Sequence, residues 1–128
     1  EKETKVVREG NKVHVYMTMV RSHFSPDNIE GIKVGDEVYF HITNLEQDWD
    51  VPHGFAIKNA PTAEILVMPG ETMTLYWKAT KVGIVPFYCT DFCSALHQEM
   101  QGYIRVSPAN SNIPISYSLG TNLPASSK

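Results

Sequence analysis

The clearest pattern in this chain is the strict alternation of apolar and polar residues in several short segments. Between Val13 and Met19 every second residue is apolar, so that Val13, Val15, Met17 and Met19 share one face of a predicted strand. Similar alternation predicts two more half-buried strands, with core-facing positions Val38, Phe40, Ile42, Met73, Leu75 and Trp77. Each of these three segments therefore has one face suited to a shared core.

Turn-forming residues divide the predicted strands. Gly35-Asp36 and Pro69-Gly70 are turn pairs by composition. The segment from Ile84 to Cys89 predicts a buried strand, and Tyr103–Val106 predicts the strand that completes the sheet. Short strands separated by turns, with little helical periodicity, predict an all-β sandwich.

Length and composition define the domain organisation. A chain of 128 residues is long enough for one domain with a substantial core. From Pro108 onwards the composition shifts to Ser, Asn, Pro and Ala. We therefore predict a folded domain over residues 1–108 and an irregular tail or linker over 109–128.

Charge and hydropathy exclude two classes of partner. The net charge of −3 disfavours binding to nucleic acid, which requires a basic surface. The sequence contains no run of roughly 18 apolar residues, the minimum for a helix that spans a membrane.

One short segment concentrates metal-binding side chains. Cys89, Cys93, His97 and Met100 lie at positions i, i+4, i+8 and i+11, which fall within about 80° of one another on a helix. A second imidazole, His53, lies between Pro52 and Gly54 far upstream. Thiolate, thioether and imidazole together form a soft ligand set that selects copper. The presence of two cysteines indicates two metal ions that share bridging sulfurs.

Three other interpretations of these residues stay open on donor chemistry alone. Two cysteines with His53 and His97 form a tetrahedral zinc set, which leaves Met100 unused. One cysteine with two histidines and a weak methionine forms a mononuclear blue-copper site. Buried thiols can also act as small apolar side chains. The remaining histidines, His14, His23 and His41, are predicted not to be ligands.

The motif Cys-x3-Cys-x3-His-x2-Met, with a distant His before Gly-Phe, resembles the dinuclear copper site called CuA. CuA occurs in cupredoxin domains of nitrous-oxide reductase and of cytochrome c oxidase subunit II. The segments 43–45, 50–55 and 87–102 are similar to the nitrous-oxide reductase family. The resemblance covers about residues 13–108 and implies a cupredoxin-like Greek-key β-sandwich.

The resemblance also implies a role for each ligand. Two copper ions in a mixed-valence pair would share the sulfurs of Cys89 and Cys93. One ion would also bind His53 and Met100, and the other His97 and the backbone carbonyl of Asp91. Many nitrous-oxide reductases have Trp where this sequence has Asp91, but a carbonyl ligand does not depend on its side chain.

The function implied by the resemblance is electron transfer in denitrification. The domain would accept electrons from a c-type cytochrome or a cupredoxin in the periplasm. It would pass them to the catalytic copper-centre domain of the oxidoreductase, across a homodimer, and would not reduce nitrous oxide alone. The alternatives are the CuA domain of cytochrome c oxidase subunit II, a copper-delivery module and a zinc-binding module.

Overall fold

All secondary structure in the described part of the chain is β-strand. The computed structural model describes residues 4–20, 23–45, 53–58, 64–88 and 101–118. The strands are β1 (Lys5–Glu9), β2 (Lys12–Val20), β3 (His23–Ser25), β4 (Asn28–Lys33), β5 (Glu37–Asn44), β6 (His53–Ile57), β7 (Glu64–Val67), β8 (Thr72–Lys78), β9 (Gly83–Tyr88), β10 (Gln101–Ser107) and β11 (Ser116–Ser118).

These strands form two sheets. The first sheet has the order β1-β2-β5-β8, with β3 also paired to β2. The second has the order β11-β4-β10-β9-β6-β7. Strand pairs β2–β5 and β4–β10 are parallel, whereas the other pairs are antiparallel. The chain passes repeatedly from one sheet to the other, and the predicted all-β sandwich is confirmed.

The alternation in β2 and β5 is realised as predicted. The four apolar side chains of β2 between Val13 and Met19 are buried in the core. Val38, Phe40 and Ile42 of β5 are also fully buried. Because the two strands pair in parallel register, with Val13 opposite Val38, their apolar faces combine into one continuous surface.

Three expectations about the later strands are wrong. Met73 does not face the core: its side chain is 40% exposed, because it lies near the start of β8, an edge strand of the first sheet. The segment after Gly83 is not buried throughout, since Ile84 and Tyr88 are exposed on the outer face of β9. Strand β10 does not complete the sheet, because it lies between β4 and β9 and is followed by β11.

A cluster of four phenylalanines joins the two sheets in the core. Phe24 and Phe40 belong to the first sheet, Phe55 and Phe87 to the second, and all four are fully buried. Phe55 contacts each of the other three, with ring centroids 5.3–5.6 Å apart. Aromatic pairs in such geometry stabilise a fold by about 0.5–1.5 kcal/mol beyond their buried area. The cluster therefore holds β6 and β9 firmly against the first sheet.

Part of the segment that follows Pro108 packs along β4. Strand β11 pairs with β4 in antiparallel register, with Tyr117 opposite Ile29. Gly31 has φ +97°, and a Cβ there would lie 2.5 Å from the Cα of Ile115. Only glycine allows the chain to pass so close at this point. The division into residues 1–108 and 109–128 stays a prediction.

One buried ion pair lies at the end of the sandwich where β5 begins. Arg8 donates hydrogen bonds to both carboxylate oxygens of Asp36, at 3.0 and 2.6 Å. The same guanidinium donates to the carbonyl of Gly31 at 2.8 Å, and the carboxylate accepts the backbone N–H of Lys33 at 2.9 Å. The Asp36 carboxylate is almost inaccessible to solvent and is compensated by these contacts.

Candidate metal centre

The six predicted ligands fall mostly outside the described residues. The structure describes the backbone of His53, which is the first residue of β6. The structure does not describe the side chain of His53. It also does not describe Cys89, Asp91, Cys93, His97 or Met100. Their assignment as copper ligands stays a prediction, and what the structure contributes is the arrangement of the strands around them.

The end of β9 and the starts of β6 and β10 lie at the same end of the second sheet. Strand β9 ends at Tyr88 and β10 begins at its register partner Gln101. Strand β6 pairs with β9 on its other side, with Ala56 opposite Tyr88. Because β6 and β9 are antiparallel, the start of β6 and the end of β9 lie at the same end of the sheet. Tyr88 and Gln101, the described residues that flank segment 89–100, therefore lie at the end of the sandwich where β6 begins.

Only a short length of β6 separates His53 from Ala56, the residue that pairs with Tyr88. His53 precedes Ala56 by three residues, which corresponds to about 10 Å of strand. The buried Phe55 and Phe87 lie two residues from His53 and Cys89, respectively, in the sequence. The phenylalanine cluster thus fixes the strands next to the predicted ligands on both sides.

Asn44, the last residue of β5, connects the two sheets at this same end. Its side chain is fully buried, and its Nδ2 donates a hydrogen bond to the carbonyl of Val67 at 2.9 Å. Val67 ends β7 and is the register partner of His53. In the sequence Asn44 is visible only as part of the segment 43–45 that resembles nitrous-oxide reductase. No local pattern relates it to Val67, 23 residues later.

His14 and His41 form a separate pair on the outer face of the first sheet. Nδ1 of His14 lies 2.9 Å from Nε2 of His41, and the rings stack with an interplanar angle of 11°. The rings of Tyr16 and Tyr39 stack beside them. Burial, and then the charge of His14, lower the pKa of the His41 imidazole below its ordinary value. Both histidines lie on the face of their strand opposite the buried apolar side chains, and the structure does not describe the side chain of His23.

Within the ranges that the structure describes, no group of three or more His, Cys, Asp or Glu side chains is placed to hold a metal ion. The donor set of the predicted site nevertheless fits copper, because it combines two thiolates, two imidazoles and a thioether. The same described ranges contain no helix that is both long and apolar enough to cross a membrane.

Comparison with known proteins identifies two groups of relatives. No protein-family model matches the chain. The nitrous-oxide reductase of Stutzerimonas stutzeri is 42% identical over 107 residues, which are 84% of this chain and 16% of that protein. Cytochrome c oxidase subunit 2 of Thermus thermophilus is 32% identical over 102 residues, 79% of this chain and 71% of that subunit. The chain thus spans about a sixth of the length of the reductase it matches.

Solved structures confirm the cupredoxin-like Greek-key β-sandwich. A chain of a heme–copper terminal oxidase dimer superposes with a TM-score of 0.70 at 23% identity, covering 83% of this chain and 72% of that one. Auracyanin B superposes with a TM-score of 0.58 at 13% identity, covering 84% of this chain and 97% of that one. The sequence relatives show that the chain belongs to the family of CuA-type cupredoxin domains found in nitrous-oxide reductase, to which cytochrome c oxidase subunit 2 is also related.

Proposed function

We propose that this domain holds a dinuclear copper centre and transfers electrons to the catalytic copper centre of a nitrous-oxide reductase. The observation that supports the proposal is the β6–β9 ladder, because the start of β6 lies at the same end as Tyr88 and Gln101, the described residues that flank segment 89–100. That segment contains five of the six proposed ligands, and the sixth is His53. The similarity of the chain to nitrous-oxide reductase supports the same assignment.

Each proposed ligand has a distinct role. The thiolates of Cys89 and Cys93 would bridge both ions. His53 and Met100 would complete one coordination sphere, and His97 with the carbonyl of Asp91 the other. When bound, a copper pair bridged by two thiolates spreads one added electron over both ions, so that bond lengths change little on reduction.

The scaffold contributes rigidity to this function. The strands that lead to His53 and Cys89 are held by Phe55 and Phe87, whose rings are 5.3 Å apart in the core. Ligands supported by packed strands keep their positions better than ligands on an unsupported loop. A fixed ligand geometry keeps the reorganisation energy of electron transfer low.

Exposed apolar side chains near this end support docking of a redox partner. Leu66, Met68 and Met73 lie within three residues of the turn at Pro69-Gly70 in the sequence, and Gly70 donates a hydrogen bond to the carbonyl of Asn44, next to Leu45. All four apolar side chains are exposed. Apolar patches of this kind suit weak and short-lived complexes. The electron donor would be a c-type cytochrome or a cupredoxin.

The remaining functions of the enzyme would lie beyond this domain. The chain covers only 16% of its reductase relative, so the catalytic copper centre would belong to another domain. We propose that this domain acts across a homodimer, in the periplasm, as part of denitrification. It would carry electrons and would not reduce nitrous oxide on its own.

A second candidate is the copper domain of a cytochrome c oxidase. The observation that favours it is the similarity to subunit 2 of Thermus thermophilus, 71% of which is covered by this chain. The metal centre would be of the same kind in both candidates. Electron delivery to a purified nitrous-oxide reductase that lacks its own CuA domain would distinguish them, because only the reductase candidate predicts turnover.

The central experiment is electron paramagnetic resonance of the copper-loaded protein combined with metal analysis. Two coppers per chain and hyperfine splitting from two equivalent coppers are expected. Cys93→Ser should abolish this splitting because one bridge is lost, whereas Ser94→Ala should retain it. One copper per chain, or bound zinc, would contradict the proposal. Rapid loss of copper to an acceptor protein would instead indicate a delivery module.

A further inference from the structure

Asn44 holds together three segments at the end of the sandwich where the copper centre is proposed. Its side-chain Nδ2 donates to the carbonyl of Val67 at 2.9 Å, across the gap between the sheets. Its backbone N–H donates to the carbonyl of Glu71 at 3.0 Å, and its carbonyl accepts the N–H of Gly70 at 2.8 Å. The Asn44 side chain is fully buried, so that no water can replace its amide as a hydrogen-bond donor. Its hydrogen bond therefore contributes more to local order than one at the surface.

The contact with Val67 acts on the backbone of His53. Strand β7 is an edge strand of four residues, and in the second sheet its neighbour is β6. Val67 is the register partner of His53 in that ladder. Among the described residues, the ladder from β6 to β9 includes only Ala56 and Ile57. The start of β6 is therefore aligned by β7, and β7 is tied to the first sheet by Asn44.

We propose that Asn44 is a positioning residue for the copper ligand His53. By fixing the carbonyl of Val67, the Asn44 amide fixes the end of β7 and, through the ladder, the backbone of His53. This inference rests on the proposed function, in which His53 binds copper. It predicts that loss of the Asn44 amide lowers copper affinity more than loss of a hydrogen bond that only stabilises the fold.

Two substitutions remove the hydrogen-bond donor in different ways. Asn44→Leu replaces the amide by an apolar group of similar size and excludes a substituting water. Asn44→Asp, studied at slightly alkaline pH where the carboxylate carries no proton, keeps an oxygen in the position of Oδ1, loses the N–H donor and adds a buried negative charge. Groups that orient a metal ligand typically change metal affinity 10- to 100-fold when removed. We expect the copper affinity, measured by competition with a chelator, to fall at least roughly tenfold in both variants.

The matched control is Thr43→Val. Thr43 Oγ1 lies 2.6 Å from Thr72 Oγ1, and this contact stays within the first sheet. The control removes a partly buried hydrogen bond one residue away without touching β7. It should lower the melting temperature but leave copper affinity within twofold of the parent protein.

A spectroscopic measurement separates positioning from general destabilisation. Electron–nuclear double resonance resolves the nitrogen couplings of the imidazole ligands, and one of these couplings should change in both Asn44 variants but not in Thr43→Val. Parent-like copper affinity and couplings in both Asn44 variants would overturn the inference, as would equal losses in the control. A parent protein that binds no copper pair would instead overturn the proposed function and, with it, this inference.

Discussion

Ala56 lies directly opposite Tyr88 in the antiparallel ladder between β6 and β9. This single pairing relates two parts of the chain that are more than thirty residues apart. It places the strand that begins at His53 beside the strand that leads into Cys89, the first proposed bridging ligand. The proposed metal centre would therefore depend on a long-range contact and not only on the spacing of its own motif.

We predict that His53 and the segment 89–100 act on one centre. His53→Gly should lower copper affinity at least roughly tenfold and alter the two-copper hyperfine pattern, because one ligand is lost. Added imidazole should restore the pattern by occupying the vacated position. His14→Ala, which changes a histidine on the outer face of the first sheet, should leave the pattern intact. A parent spectrum in His53→Gly would remove His53 from the ligand set.

We predict that Arg8 is important for stability far from the metal. Arg8→Met leaves the buried Asp36 carboxylate without its cation. Breaking a fully buried pair costs about 3–5 kcal/mol, which is an upper bound here because the Arg8 side chain is 26% exposed. The measurement is the free energy of unfolding in urea. Lys12→Met disrupts the exposed pair with Glu37 and should cause a much smaller change. Equal losses in the two variants would show that burial of Asp36 does not matter.

We predict that stability falls in mild acid because of His41. Its pKa is lower in the folded protein, so the folded state binds fewer protons than the unfolded chain. The contribution of His41 is complete above its ordinary pKa of about 6.5 and is lost as the pH falls from there towards the lower folded value. The free energy of unfolding should decrease from about pH 8 to about pH 5, and His41→Gln should reduce this slope. An unchanged slope in the variant would assign the acid sensitivity to other groups.

We predict that Gly102 accepts no side chain. A Cβ at this position would lie 2.5 Å from the ring of Phe87 and would also collide with the carbonyl of Asp27. Gly102→Ala should therefore destabilise the fold by about 1–3 kcal/mol. Gln101→Ala, which changes an exposed neighbour on the same strand, should have little effect. Thermal unfolding of the two variants measures the difference, and equal melting temperatures would mean that the backbone yields easily here.

The features that could be predicted from the sequence are those that depend on neighbouring residues. Alternation identified β2 and β5 and their buried faces, because side-chain direction in a strand follows a local period of two. The alternation pattern was wrong for Met73, because the burial of a side chain on an edge strand depends on the elements that pack beside that strand. The proposed ligands in segment 89–100 were likewise identified from local spacing and donor chemistry.

Contacts between distant segments are visible in the folded structure and not in the sequence. The parallel pairing of β10 with β4, the ion pair of Arg8 with Asp36 and the hydrogen bond from Asn44 to Val67 join residues separated by many positions. None of these contacts has a local sequence pattern, because each is selected by the closing of the two sheets around a shared core. The proximity of the start of β6 to the end of β9 likewise depends on strand order, because hydrogen bonding between these two strands makes their ends neighbours.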